Sequence, residues 1–188
     1  MAIDLEKGQR VELGLQKAGI GLGWAANEGS GYEFDLDASA FMVGSNGKIP
    51  SDEYFVFYNN LKSPDGSVES SGDEQEGGSG DDDGDEETLT IDIPRIGPKI
   101  EEIIIVVTIH DAETRKQNFG QVRNSYIRIY DAGIGEDAEI CKYELDEDFS
   151  IETAVEFGRL YKKGGAWKFE AVGRGYQGGL QHFVNKYA

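Results

Sequence analysis

Apolar and polar positions alternate with a period of two over much of this chain. Over residues 34–42, Phe34, Leu36, Ala38, Ala40 and Met42 fall on one side of an extended strand, and Asp35, Asp37 and Ser39 on the other. Such a strand buries one face and projects two carboxylates together from the opposite face. Residues 53–58 read as a strand apolar on both faces, ended by Asn59-Asn60. Over residues 103–109 only Thr108 interrupts an aliphatic run, which predicts a central strand covered on both sides. Residues 126–130 alternate again, and 139–145 predict an edge strand. Residues 154–161 and 166–172 flank Lys162-Lys163-Gly164-Gly165, the pattern of a hairpin with a glycine turn.

Helical periodicity is scarce. Leu180, Phe183, Val184 and Tyr187 follow the i, i+3, i+4, i+7 spacing of a short amphipathic closing helix, and 112–117 predict a single turn. The expected architecture is therefore all-β. It is a two-sheet antiparallel β-sandwich of about eight to ten strands, with a few short helices including a C-terminal one, in a single domain spanning residues 1–188.

Charge changes this picture at one place. Of 36 Asp and Glu residues, 12 lie between residues 63 and 94, where no Lys or Arg occurs. From residue 73 to 87 nine of fifteen residues are carboxylates and four are glycines, so the loop at 63–88 combines hard oxygen ligands with a backbone that turns sharply. The formal charge of −18 argues against nucleic acid or anionic lipid as a direct partner, because both are bound through Lys and Arg clusters. The start Met1-Ala2-Ile3-Asp4-Leu5-Glu6-Lys7 carries no apolar leader, and the run 103–107 is too short to cross a bilayer. A cytoplasmic location and no direct membrane insertion are expected. The single Cys141 forms no internal disulfide and reads as a small inert hydrophobe in a strand.

Known calcium motifs do not account for the acidic loop. An EF-hand counted from Asp81 places Glu86 where glycine is needed and Asp92 where a bidentate Glu is needed. Gly77-Gly78-Ser79-Gly80-Asp81-Asp82 begins like a calcium-binding nonapeptide repeat, but Gly84 replaces the apolar residue and there is one copy. Two like charges about 4 Å apart repel by roughly 4 kcal/mol at an effective dielectric near 20. The residues alone thus leave two readings open: a solvated acidic loop, or a cation site in which the loop is joined by Asp35, Asp37 and Asp111 at the rim of the sandwich. All-oxygen, irregular ligation suits calcium better than magnesium or zinc.

The whole chain resembles the TerD-type tellurium-resistance (stress-response) family. The resemblance is carried by Gly21-Leu22-Gly23-Trp24, Phe34-Asp35-Leu36-Asp37-Ala38-Ser39-Ala40-Phe41, Val56-Phe57-Tyr58-Asn59-Asn60, Gly72-Asp73 and Asp83-Gly84-Asp85-Glu86-Glu87. It continues through Thr108-Ile109-His110-Asp111-Ala112, Phe119-Gly120-Gln121-Val122-Arg123-Asn124 and Trp167-Lys168-Phe169. It implies a β-sandwich that binds Ca2+, more than one ion, through the acidic loop and neighbouring carboxylates. Carried onto this chain, the metal-binding set is Asp35, Asp37, Asp73, Asp83, Asp85, Glu87 and Asp111. Glu74 and Glu76 stand where the family has Asn and Thr, and about three extra residues place Asp81 and Asp82 in an insertion.

The resemblance also implies roles in tellurite resistance, general stress and phage or colicin resistance without enzymatic activity. It further implies assembly with other proteins of the stress and tellurite-resistance cluster, peripheral to the inner membrane through those partners. The alternative is a metal-dependent enzyme, either a hydrolase or one acting on tellurium oxyanions. Against it, Ser39 and Ser125 sit in no recognisable nucleophile motif, and His110 reads as a structural residue closing a strand. Trp24 and Trp167 read as core aromatics. The basic stretch 159–174 reads either as a solvated hairpin or as a contact for an acidic partner.

Overall fold

The computed structural model describes residues 2–27, 29–71, 85–144 and 151–188. Among them are strands β1 (Ile3–Asp4), β2 (Arg10–Glu12), β3 (Lys17–Gly23), β4 (Leu36–Val43), β5 (Phe55–Val56), β6 (Val68–Ser70), β7 (Glu87–Asp92) and β8 (Glu102–Ile109). A four-residue helix α1 (Ala112–Arg115) follows, then β9 (Tyr126–Asp131), β10 (Glu139–Glu144), β11 (Ala154–Lys163), β12 (Ala166–Tyr176) and helix α2 (Gly179–Tyr187). The first sheet has the order β1-β10-β9-β3-β7-β6 and the second β2-β12-β11-β8-β4-β5. Every pairing is antiparallel except that of β1 with β10, so the expected two-sheet sandwich is the observed fold.

Burial on both faces explains the aliphatic run of β8. Ile103, Ile105, Val107 and Ile109 point into the core between the sheets. Ile104 and Val106 point outward into a second core beneath α2, with Phe41, Val43, Phe183 and Tyr187. Each fully buried aliphatic side chain is worth about 1.5–3 kcal/mol of transfer free energy, so α2 is held by its apolar face rather than by helix propensity. Glu156 adds polar contacts beneath it, accepting from the Tyr187 hydroxyl at 2.9 Å and from Lys186 Nζ at 3.4 Å. The β11–β12 hairpin turns on Gly164 and Gly165, at φ +62° and +80°. A two-residue connection between Lys163 and Ala166 needs positive φ at both positions, which glycine adopts without steric cost.

The strand expected at the edge, β10, is instead covered by β1, which pairs with it at Cys141 and Lys142, and the structure departs from the pattern reading in two further places. Within 53–58 only Phe55 and Val56 pair with β4, after a 3-10 turn at Asp52–Tyr54. Asn60 is the reason, because its side-chain amide donates to the carbonyls of Glu53 and Phe55 while its backbone closes a turn on Phe57. The second departure is β3, whose Lys-Ala-Gly-Ile-Gly-Leu-Gly sequence lacks the β-branched density of a strand. Ala18, Ile20 and Leu22 nevertheless fill the core, and the outward glycines leave room for other side chains to lie flat on the sheet.

Candidate functional site

Strand polarity gathers most of the carboxylates named above at one end of the sandwich. In the second sheet Leu36 pairs with Ile109 and Ala154 with both Thr108 and Tyr176, so β4 and β11 begin where β8 and β12 end. In the first sheet Leu22 pairs with Glu87 and Gly23 with Tyr126. The two ends are joined by Glu87, whose Oε2 accepts the Ala38 backbone N–H at 2.7 Å. β5 pairs with β4 only at Ala40 and Phe41, so the Glu87 carboxylate takes the place of a strand neighbour at Ala38. Asp35, Asp37, Asp85, Glu87 and Asp111 all stand at this end, together with the described residues that flank 72–84 and 145–150, namely Ser71, Asp85, Glu144 and Ile151.

At that end they occupy three separate places. Asp35 and Asp37 lie on the outer face of the second sheet and are buried, 6% and 5% exposed. Arg115 Nη1 approaches Asp35 Oδ2 at 3.9 Å, and the Asp35 carbonyl accepts the His110 N–H at 2.8 Å. Asp37 lines a cleft of about 610 Å3 that also receives Asp111, His110, Thr108 and the start of α2. Asp111 adopts a left-handed backbone at φ 51°, which Asp tolerates better than most residues, and its carboxylate is solvent-exposed 3.5 Å from His110 Nε2.

Glu87 occupies the second place, on the inward face of β7 in line with Leu89 and Ile91, at the seam between the sheets. Asp85 occupies the third, on the outer face of the first sheet. There Arg128 Nε donates to Oδ1 at 2.9 Å, its Nη2 donates to Oδ2 at 2.7 Å, and the Tyr126 hydroxyl donates to Oδ1 at 3.0 Å. Gly21 lies beneath this carboxylate, where a Cβ would collide with it; Gly19 and Gly23 are covered in the same way by Tyr130 and Tyr126. Burial, and then the Asp85 charge, push the Tyr126 hydroxyl above its ordinary value; the hydrogen bond to Asp85 does the same for Arg128.

Asp73 and Asp83 lie outside the described residues. Among the described residues no three His, Cys, Asp or Glu side chains come together closely enough to hold a metal ion. Apart from the His110 imidazole, the donors named at this end are hard carboxylate oxygens, the kind calcium takes. Asp37 and Asp111 share one cleft, whereas Asp85 is held by a guanidinium. Pattern reading missed Arg128 and Tyr126, although their alternation in 126–130 puts them on the polar face of a strand; the glycine at every second position of 19–23 was the available sign of a groove opposite them.

The remaining groups of interest behave as structural residues. Cys141 is buried, and burial pushes its thiol up to about 12. Trp24 is buried with its indole N–H on the Phe34 carbonyl, and Trp167 packs against the main core. In the basic hairpin Arg159 is paired with Glu102 and Glu170. Among the described residues no helix is long and apolar enough to cross a membrane.

A sequence profile described as the TerD domain matches residues 1–187. The chain is 50% identical to the uncharacterized protein YceE of Bacillus subtilis (strain 168), covering 100% of this chain and 98% of that one. It is 46% identical to the tellurium resistance protein TerD of Alcaligenes sp, over 100% and 97% of the two chains, and 46% identical to general stress protein 16U of Bacillus subtilis, with the same coverage. The crystal structure of a homologue of the telluride resistance protein TerD from Streptomyces coelicolor superposes with a TM-score of 0.72 at 22% identity, over 91% of this chain and 96% of that one.

Proposed function

Because the chain belongs to the TerD domain family of tellurium-resistance and stress proteins, we propose that it is a non-enzymatic calcium-binding protein of that response. One observation carries this reading: five carboxylates from distant parts of the sequence stand at one end of the sandwich, beside the residues that flank both acidic stretches 72–84 and 145–150. Neither stretch contains a Lys or Arg. Carboxylates gathered at one end beside two acidic stretches raise the negative potential there, and a divalent cation relieves it. Asp35, Asp37, Glu87 and Asp111 would be joined by Asp73 and Asp83 in holding more than one Ca2+. The metal supplies positive charge and ordering, and Asp37 and Asp111 would present carboxylate oxygens to it across their shared cleft.

In this reading calcium orders the acidic end and presents a surface for partner proteins of the stress and tellurite-resistance cluster, in the cytoplasm or peripheral to the inner membrane through those partners. Thermal melting in calcium and in chelator tests it. Binding at 100 times the dissociation constant stabilises the fold by about 2.7 kcal/mol, a rise in Tm of roughly 5–10 °C for a chain of this size. Coincident melting curves would remove the main support.

The cleft that holds His110 beside Asp111 is the observation that favours an enzyme instead. A metal-dependent hydrolase or a tellurium-oxyanion enzyme would work there. Cys141, however, is buried and poorly ionised, so thiol-based reduction of tellurite has little to draw on among the described residues. Turnover of tellurite or of a phosphoester by the purified calcium-loaded protein would decide for the enzyme.

A further inference from the structure

We propose that Asp85 is not a metal ligand but one half of a fixed clip, and that Arg128 is a positioning residue which, through that clip, sets Glu87 at the seam between the sheets. The inference deepens the calcium reading and rests on it only for its affinity measurement.

The geometry carries the argument. A carboxylate has about four lone-pair sites, and three donor hydrogens from the Arg128 fork and the Tyr126 hydroxyl engage both oxygens of Asp85: the Nε–H shared between the two, Nη2 to Oδ2 and the phenol to Oδ1. A metal ion would have to displace a bidentate guanidinium from a side chain that is 6% exposed. Arg128 is itself fixed, since its Nη1 donates to the Glu136 carbonyl at 2.7 Å and its guanidinium lies 4.7 Å from the centre of the Tyr130 ring. Asp85 rests against the backbone of Gly21, which accepts it only because it has no Cβ.

From this seat the chain has little freedom. The Glu86 N–H donates to the Leu22 carbonyl at 2.8 Å, Thr88 pairs with Gly21, and the intervening Glu87 points inward to the Ala38 N–H. Loss of the clip therefore loosens Glu87, two residues away and on the other side of the sheet. Partners that orient a ligating carboxylate typically change metal affinity 10- to 100-fold when removed.

The two roles for Asp85 predict opposite signs. If Asp85 is an anchor, Arg128→Ala and Asp85→Asn each weaken calcium binding about 10-fold or more, and the double variant is no weaker than the singles. If Asp85 is a ligand, Arg128→Ala frees it and calcium binding is unchanged or tighter, which overturns the proposal. Calcium chloride titrated into chelator-stripped full-length protein, followed by calorimetry, reads this difference.

Nuclear magnetic resonance on the unmutated protein provides a second measurement that does not depend on variants folding. The Arg128 Nε–H resonance should remain slowly exchanging and unshifted across the titration while the Asp37 carboxyl carbon moves. Release of Arg128 on calcium addition would overturn the proposal. Should no resonance respond to calcium, the calcium reading fails, and the clip is judged by hydrogen exchange of the Ala38 amide. That exchange should accelerate at least 10-fold in Asp85→Asn, and unaltered exchange would overturn the clip.

Discussion

Asp85 and Asp37 stand at the same end of the sandwich on opposite outer faces, and their surroundings differ in kind. Asp85 meets a guanidinium fork and a phenol over a bare glycine, so its charge is spent inside the fold. Asp37 is as deeply buried but opens on a cleft shared with Asp111, and Arg115 stands at 3.9 Å from the neighbouring Asp35. A buried carboxylate is costly unless it is paired. The first sheet meets that cost for Asp85 with its own arginine, whereas the second sets Asp37 at the wall of an open cleft. Proximity to an acidic stretch thus does not tell which carboxylate is held by a guanidinium and which faces a cleft; the neighbouring strands do.

The sharpest way to break this contrast is Arg128→Ala, which strands the Asp85 charge in a buried site. Removing one partner of such a pair costs about 3–5 kcal/mol, so the urea midpoint should fall well below that of the unaltered protein even in chelator. Arg115→Ala should cost much less, because Arg115 only approaches Asp35 at the edge of pairing distance. Similar losses from the two substitutions would erase the distinction between the sheets.

Next in size is calcium itself, at about 2.7 kcal/mol in 100-fold excess over Kd. Asp37→Asn should abolish most of that gain in a calcium-against-chelator melt, whereas a variant at Asp65, at the far end of the sandwich, should keep it. Gly21→Ala should cost about 1–3 kcal/mol by overpacking against Asp85. Gly14, where a Cβ meets nothing within 4 Å, provides the control for glycine-to-alanine change in itself.

The smallest effect is a pH dependence away from the acidic end. Burial alone would raise the Asp65 carboxyl, but hydrogen bonds from Ser67, Gly97 and Ser63 outweigh it and hold it below the usual range. Burial likewise opposes, and Arg159 and Arg10 outweigh, at Glu170. A carboxyl depressed by folding contributes stability that is present above its unfolded value of about 4 and is lost as pH falls through the lower folded value. Urea midpoints in chelator should therefore decline between about pH 5 and pH 3, and Asp65→Asn should flatten part of that decline. A decline of the same steepness in that variant would remove Asp65 from the account.

Much of the fold was legible because the physics is local. The alternation of 34–42 and 126–130, the unbroken run of 103–109, the Gly164-Gly165 turn and the 180–187 stripe each encode which side must leave water, and each became the expected element. β3 was not legible, since its alternate glycines make sense only once Tyr130, Asp85 and Tyr126 are known to lie across them. The 53–58 strand was over-read because the Asn60 amide competes for carbonyls that a strand would have used. For the candidate site, Asp35, Asp37 and Asp111 were placed at the rim by reasoning from strand ends, and the register bears that placement out.

From composition and periodicity alone come the sandwich, a central strand covered on both faces, a short closing helix, the excess of negative charge and its concentration in one stretch. These depend on side-chain hydrophobicity and on charge counts, which need no knowledge of neighbours. Which carboxylate meets arginine and which meets a cleft was decided only by tertiary structure. Residues 85 and 128 are brought together by the order β9-β3-β7, and the pair exists only once strands far apart in sequence settle in one sheet with Gly21 of β3 bare between them.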